Sequence, residues 1–257
     1  MTVEYLDFET ARQRDGLRVV VVPGVPSPWG EAAKGIFHAK RIPWVGVRLD
    51  QANHALADWT GQRSGPVAMY REEAPRAGWA EILLLAERLA PETPLLPTDP
   101  EERALALGLS HEICGEMGLG WCRRLQGVHA GLNDHGGFPK GVAQYLASKY
   151  GYRAEEAETY DARVVGLLEM LAERLRAQRK LGSQQYYLGD GLSAVDIYSA
   201  TFMALFKPLP AEQCPMPEAL RAAFEILDPA TEKALDPILI AHRDAVYDEA
   251  LELPLSL

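Results

Sequence analysis

The stretch LRVVVVPGVPSPWGEAAKGIFHAKRIPWVGVRL, residues 17–49, has the pattern that decides the fold. LRVVVV at 17–22 and WVGVRL at 44–49 are short apolar runs, which predict two buried strands. GEAAKGIFHAKRI at 30–42 has the apolar spacing of a helix. Apolar strands joined by a helix are typical of a parallel pair with a crossover connection, so this stretch predicts a βαβ unit.

The chain changes character near residue 91. Before it, PVAMY at 66–70 predicts a third strand and GWAEILLLAERLA at 78–90 a second helix. PETPLLPTDPEER at 91–103 is rich in proline, which predicts a linker, and Asp99 followed by proline is typical of a helix start. Beyond the linker, apolar residues at helical spacing occur over 101–126, 141–151, 157–181, 193–206, 217–227 and 234–251.

Length and composition limit the possible classes of protein. A chain of 257 residues is long enough for two modest domains, and we predict a small α/β domain over 1–96 followed by an all-helical domain over 97–257. The net charge is −10 and no block of lysine or arginine occurs, which argues against nucleic acid as a partner. No apolar run is long enough for a bilayer and the first residues lack a signal-peptide layout, so we expect a cytoplasmic protein without a membrane partner.

Cysteine usage indicates a reducing compartment. Cys114, Cys122 and Cys214 are odd in number and show no CxxC spacing, so the sequence predicts buried free thiols rather than disulfides.

The histidines do not indicate a metal site. His111 and Cys114 lie one helical turn apart, and a second group lies close together in sequence, namely His129, Asp134 and His135. Neither group has the spacing of a recognised zinc site, so we expect no metal cofactor.

Four stretches match, in order, the motifs of one known family. They are SPWGEAAKGIFHAKRIPW at 27–44, GPVAMY at 65–70, LLLAERLAPETPLLPTDPEERA at 83–104 and YLGDGLSAVDIYSATF at 187–202. Together they resemble the cytosolic glutathione transferases, in particular serine-type bacterial members with a divergent glutathione site. The last stretch also has a physical explanation, because Ser193 with Asp196 three residues later is a capping-box arrangement.

The resemblance implies a fold, an activity and partners. The fold is α/β plus all-α, with a thioredoxin-like, glutathione-binding domain over 1–96 and a helical bundle domain over 97–257. The activity is addition of the thiolate of glutathione, a co-substrate, to an electrophilic small molecule, as in detoxification, by a homodimer. The alternative is a non-catalytic member of the fold that binds a ligand or a protein partner.

Ser27 has two interpretations. Serine before proline at the start of a helix is typical of an N-cap. The resemblance instead implies a catalytic residue, because serine-type relatives place their activating hydroxyl here. Lowering a thiol pKa from about 8.5 to about 6.5 takes about 2.7 kcal/mol, and a hydroxyl bonded to a charged sulfur supplies about 1.5–3 kcal/mol.

The resemblance also assigns residues to glutathione binding. Pro66 matches the family's cis-proline, and Gly65 before it presents its backbone to the cysteinyl part of glutathione. Relatives hold the γ-glutamyl end with a Glu-Ser or Asp-Ser pair. Here an ungapped alignment puts Gly78 and Trp79 at that pair, and a shift of three residues puts Glu81 there. The assigned residues are Trp29, Gly65, Pro66, Gly78, Trp79 and Glu81.

Three departures from the family pattern weaken the glutathione site. Gly30 stands where many relatives have a second serine or cysteine, so we expect no redox centre. Glu31 stands where a basic residue often follows, and its charge would oppose a thiolate nearby. The γ-glutamyl pair has no serine, which leaves backbone amides and Arg76 as candidate partners for that end of glutathione.

Aromatic and basic residues are candidates for a second-substrate pocket. WCRRLQGVH at 121–129 belongs, by resemblance, to a helix beside that pocket, which makes Trp121, Arg124 and His129 candidate lining residues. Trp29 and Trp79 either shape an aromatic pocket or belong to the core.

Overall fold

The computed structural model describes residues 3–182 and 185–257. The strands are β1 (Glu4–Leu6), β2 (Leu17–Val21), β3 (Trp44–Arg48) and β4 (Val67–Tyr70). They form one sheet in the order β1-β3-β2-β4. β1 and β2 run parallel to β3, and β4 runs antiparallel to β2.

The helices divide into those near the sheet and those beyond it. The first group is α1 (Phe8–Arg12), α2 (Pro28–Ala39), α3 (His54–Thr60) and α4 (Trp79–Leu89). The second is α5 (Pro100–Cys114), α6 (Leu119–Leu132), α7 (Lys140–Tyr150), α8 (Ala157–Lys180), α9 (Ala194–Phe202), α10 (Glu218–Glu225), α11 (Pro229–Ala234) and α12 (Pro237–Ala250), with 3₁₀ turns at Ala154–Glu156 and Met203–Leu205. This architecture confirms the predicted fold class. The domain boundary at 96/97 lies between α4 and α5 and stays a prediction.

The βαβ unit is confirmed in β2, α2 and β3. Alternate residues of β2 face opposite sides of the sheet, as the twofold period of a strand requires. Val19 and Val21 join a core shared with α2, α4 and the helices beyond, whereas Val20 packs with Leu56 on the other side. The face covered by α2 and α4 is therefore continuous with the helical part of the chain.

Several elements differ from the predictions. β1, α1, α3 and α11 were not predicted; β1 is only three residues long and none of them is buried, so its apolar pattern is weak. The segment 101–126 is two helices rather than one. α5 ends at Cys114, Gly115 is extended, and Met117 has a φ of 57°, a conformation that a right-handed helix does not contain. The run 121–129 thus belongs to α6, separate from His111.

Helix caps occur where the sequence indicates them, as polar side chains at the N-termini and as glycine at a C-terminus. The Asp99 carboxylate accepts hydrogen bonds from the amides of Glu101 and Glu102, both at 3.0 Å. Gly151 ends α7 with a φ of 65°, a conformation that favours glycine. Asp196 accepts the Ser193 amide at 2.8 Å, which confirms its structural role.

The three cysteines are free and buried, as predicted. Burial raises the pKa of each thiol, that of Cys122 to about 11. In the described part of the chain, no helix has the length and apolar character needed to cross a bilayer.

Candidate active site

Ser27 lies at the N-terminus of α2 but does not cap it with its side chain. Its backbone is extended, with φ −63° and ψ 114°, and its carbonyl accepts the Glu31 amide at 2.7 Å. Its hydroxyl makes no hydrogen bond to any described residue. Pro28 holds Ser27 out of the helical conformation, and the hydroxyl of this half-buried residue is left available to a ligand.

Gly65 and Pro66 lie beside β2 and are joined by a cis peptide bond, as expected from the resemblance. A Cβ on Gly65 would lie 3.2 Å from the Val20 carbonyl oxygen and 3.4 Å from the Val22 nitrogen. Glycine therefore allows this loop to approach the strand closely.

A cavity of about 610 Å³ opens between these loops and the helices beyond the sheet. This volume is within the range of small-molecule sites, about 300–1,000 Å³. Most of its wall is apolar and aromatic. Its lining includes Ser27, Trp29, Gly65 and Pro66 from the predicted site and Trp121, Arg124, Phe138, Tyr145, Lys149, Tyr150 and Phe224 from the helical part.

Trp29 is fixed in the wall of the cavity. Its Nε1 donates to the Cys114 carbonyl at 2.9 Å, and its ring meets Phe202 edge-on with centroids 4.9 Å apart. Tyr150 lies on another side, 6.1 Å between centroids. The pocket and core interpretations of Trp29 are therefore compatible, because its ring both lines the cavity and packs against the core.

The cavity carries positive charge. Arg124 and Lys149 both line it, and none of the described lining residues is Asp or Glu. Lys149 Nζ donates to Ser64 Oγ at 2.7 Å. Burial lowers the pKa of Arg124, and burial followed by the charge of Arg124 lowers the pKa of Lys149.

Gly78 and Glu81 at the start of α4 do not line this cavity, although Ala77 just before them does. Glu81 turns back on its own helix and accepts the amides of Gly78 at 2.9 Å and Ala77 at 3.2 Å. Arg76, expected as a candidate partner for glutathione, donates to Glu73 at 2.6 Å. The Arg76 guanidinium and the amides of Ala77 and Gly78 are thus engaged within the chain, whereas no described side chain accepts from the first-turn amides of α4, residues 79–81.

Trp79 also lies outside the large cavity. Its ring packs edge-on against Tyr198, 5.6 Å between centroids, and its carbonyl accepts the Tyr198 hydroxyl at 3.0 Å. This favours the core interpretation of Trp79.

Glu31 is held away from the cavity. It is buried beside the C-terminal segment and accepts Lys34 Nζ at 2.8 Å. Burial raises its pKa, opposed by the charge of Lys34. Because this ion pair compensates the negative charge, the expected opposition of Glu31 to a thiolate is much weaker than the sequence suggested.

The expectation that His129 lines the second-substrate pocket was wrong. His129 Nδ1 lies 2.7 Å from the Tyr152 hydroxyl and borders a separate cavity with His135. The helix turns it away from the face that carries Trp121 and Arg124. Among residues 3–182 and 185–257, no group of three or more His, Cys, Asp or Glu is arranged to hold a metal ion.

Sequence reasoning missed the contribution of α7 to the site. Tyr145 and Lys149 are four residues apart and therefore share a helix face. Both line the cavity, and Tyr145 Oη accepts from Gln51 Nε2 at 3.2 Å. The spacing of this aromatic and this basic residue was the available signal in the sequence. It shows that the two share a helix face but not that this face lines the cavity.

Comparison with known proteins identifies the fold. No protein-family model matches the sequence, and no curated protein is significantly similar to it. Solved structures do match it. A glutathione S-transferase domain-containing protein from Marinobacter aquaeolei VT8 has a TM-score of 0.62 at 14% identity, with 90% of this chain and 98% of that chain covered. A glutathione S-transferase from Methylobacillus flagellatus KT, with glutathione bound, has a TM-score of 0.60 at 15% identity, with 91% and 96% covered.

A third structure with a similar fold is an isomerase. Maleylacetoacetate isomerase from Anaeromyxobacter dehalogenans 2CP-1, with dicarboxyethyl glutathione and citrate in its active site, has a TM-score of 0.53 at 16% identity, with 93% of this chain and 89% of that chain covered. At such identities the likeness concerns the fold, which hosts more than one activity. The chain has the glutathione transferase fold.

Proposed function

We propose that the protein is a glutathione transferase that adds the thiolate of glutathione to an electrophilic small molecule. One observation carries this proposal: the Ser27 hydroxyl has no capping bond and lines the same cavity as Gly65 and the cis Pro66. The glutathione bound to the Methylobacillus flagellatus structure supports glutathione as the co-substrate.

Ser27 activates the sulfur in this proposal. Its hydroxyl donates a hydrogen bond to the glutathione sulfur and favours the thiolate, the nucleophilic form. The hydrogen bond supplies about 1.5–3 kcal/mol, and the N-terminus of α2 adds about 0.3–1 kcal/mol. The sum is enough to lower the thiol pKa by about two units.

The rest of the site positions the two reactants. The backbone of Gly65 pairs with the cysteinyl part of glutathione, and Trp29 forms the adjacent wall. Glu81 occupies the amides of Ala77 and Gly78, so we propose that the γ-glutamyl end is held weakly near Gly78 and Trp79. The electrophile occupies the aromatic part of the cavity. By analogy with the family, we propose a cytoplasmic homodimer that acts in detoxification.

The test of catalysis is Ser27→Ala. We expect kcat/KM with 1-chloro-2,4-dinitrobenzene to fall about 5- to 50-fold near pH 6.5, because the bound thiol pKa rises from about 6.5 by about one to two units. The pH dependence of kcat/KM and the ultraviolet absorbance of the bound thiolate measure that rise.

Ser64→Ala is the matched control, since Ser64 lines the same cavity but its hydroxyl is engaged by Lys149. It should leave the bound thiol pKa unchanged. Equal kcat/KM for the wild type and Ser27→Ala would remove Ser27 from the reaction.

A non-catalytic ligand-binding protein is the second candidate, and one observation favours it. Glu81 occupies the amides of Ala77 and Gly78, and Arg76 is bound to Glu73. The γ-glutamyl end of glutathione therefore meets no free partner among these groups.

Thermal unfolding with and without glutathione separates the two candidates. A ligand that binds only the folded chain adds about 2.7 kcal/mol at one hundred times its dissociation constant. We expect millimolar glutathione to raise the melting temperature, with the oxidised disulfide form at equal concentration as control. No shift would favour the non-catalytic candidate.

A further inference from the structure

Arg124 is a partly buried cation that has no counter-charge among the described residues. Its guanidinium carbon lies 5.6 Å from the ring centroid of Phe138 and 5.2 Å from that of Phe224. Its Nε is buried and has no hydrogen-bond partner, and no carboxylate of the described residues lies within ion-pair distance. A partly buried guanidinium with a buried, unpartnered Nε lacks, among the described residues, the anion that usually accompanies it.

The surroundings of Arg124 favour an anion from outside the chain. Lys149 adds a second cation to the cavity wall, with a neutral hydroxyl as its partner. The described lining residues include no Asp or Glu. A cavity with low-dielectric walls and charge of one sign concentrates ligands of the opposite sign, and a guanidinium pairs with a carboxylate in bidentate geometry.

The position of Arg124 distinguishes the electrophile from glutathione as the source of that anion. Arg124, Phe138 and Phe224 belong to the helical part of the chain, whereas Ser27 and Gly65 belong to the part with the sheet. Lys149 contacts Ser64, next to Gly65, and so lies nearer to the proposed tripeptide site. Arg124 has two aromatic rings for its immediate neighbours, which suits a flat apolar molecule.

We propose that the cavity binds planar electrophiles that carry a carboxylate, with the carboxylate paired to Arg124 and the apolar body held among the aromatic rings. This inference rests on the proposed function for its reaction and on the geometry of the cavity for its binding. Arg124 acts as the specificity-determining residue of the site.

The probe reaction is aromatic substitution. With 4-chloro-3-nitrobenzoate, the sulfur of the glutathione thiolate forms a bond to the carbon that bears chlorine. The C–Cl bond breaks, chloride leaves with the bonding electron pair, and the proton of the thiol passes to solvent. 4-Chloro-3-nitrobenzamide undergoes the same reaction and has no charge, so the pair isolates the contribution of the carboxylate.

The experiment measures kcat/KM for both probes in the wild type and in Arg124→Met. We expect the value for the benzoate to fall about 10- to 100-fold, the range for loss of a charge-assisted pair, while the value for the benzamide and the KM for glutathione stay within about twofold. Arg124→Lys should retain part of the benzoate activity. Arg179→Met, on the exposed face of α8, controls for a change in net charge and should alter neither probe.

Three outcomes overturn the inference. Equal losses for both probes assign Arg124 to folding or general positioning. A raised KM for glutathione with an unchanged benzoate preference assigns the cation to the tripeptide. Equal activity with the benzoate in the wild type and Arg124→Met removes the role altogether.

A direct binding measurement tests the inference independently of catalysis. Quenching of tryptophan fluorescence measures the dissociation constants of 4-chloro-3-nitrobenzoate and its amide in the wild type, whether or not the reaction occurs. We expect the benzoate to bind at least about tenfold more tightly. Equal binding of the two probes overturns the inference without any variant, and tight benzoate binding without turnover supports it while the proposed reaction fails.

Discussion

The N-termini of α2 and α4 face the same problem of unpaired backbone amides and solve it differently. At α4 the carboxylate of Glu81 turns back and binds the amides of Gly78 and Ala77. At α2 the hydroxyl of Ser27 binds no described residue and lines the cavity. At α4 the Glu81 carboxylate thus occupies the N-cap amide and the amide before it, whereas at α2 the hydroxyl beside the cavity is open to a ligand.

This difference changes how the glutathione site is understood. The resemblance to the family placed the cysteinyl residue of glutathione at the start of α2 and its γ-glutamyl end at the start of α4. The free hydroxyl at the start of α2 supports the cysteinyl residue at Ser27, and the Glu81 carboxylate at the start of α4 argues against a strong γ-glutamyl site near Gly78. Binding of the γ-glutamyl carboxylate to the Gly78 amide would therefore require the carboxylate of Glu81 to leave that amide.

Opening the start of α4 gives the larger expected effect. Glu81→Ala should lower the free energy of unfolding by about 1 kcal/mol, because two amides lose their acceptor. It should also tighten glutathione binding several-fold, since those amides become free for the γ-glutamyl carboxylate. Chemical denaturation and calorimetric titration measure the two changes.

Glu81→Gln is the matched control, because the amide oxygen of glutamine keeps an acceptor at the same place without the charge. It should fall between the wild type and Glu81→Ala in stability. Glutathione affinity that stays constant across all three proteins would show that the tripeptide does not reach α4.

Removing the hydroxyl at α2 gives the smaller expected effect on stability. Ser27→Ala should change the free energy of unfolding by less than about 0.5 kcal/mol, since no capping bond is lost. Asp99→Ala is the comparator, because its carboxylate accepts two amides at 3.0 Å, and it should cost about 1 kcal/mol or more. Similar losses for both variants would mean that Ser27 is a cap after all.

The fold was predictable where the pattern is local. The valines of β2 and the apolar residues of α2 lie close together in the sequence, so the βαβ unit could be predicted from residues 17–49 alone. β1 was missed because its three residues pair with β3 but are only partly buried. The break between α5 and α6 was missed because apolar spacing continues through it, although the extended Gly115 and the left-handed Met117 interrupt the helix.

The site was predictable where a motif marks it and not where packing creates it. Ser27, Trp29, Gly65 and Pro66 fall in motifs that precede or follow secondary structure, and all four line the cavity. The opposite wall comes from α6, α7 and α10, segments far apart in sequence. Their cavity-facing residues become neighbours only when the helices pack, so no local signal distinguished Arg124 from His129.

The three buried thiols give the molecule an internal reporter. Cys114, Cys122 and Cys214 are 2%, 0% and 1% exposed, and the pKa of each is raised by burial. Alkylating reagents attack the thiolate, so the native chain should be nearly inert to iodoacetamide and should react only through opening. The rate of labelling therefore reports the opening equilibrium, and a small molecule that binds only the folded chain will slow it.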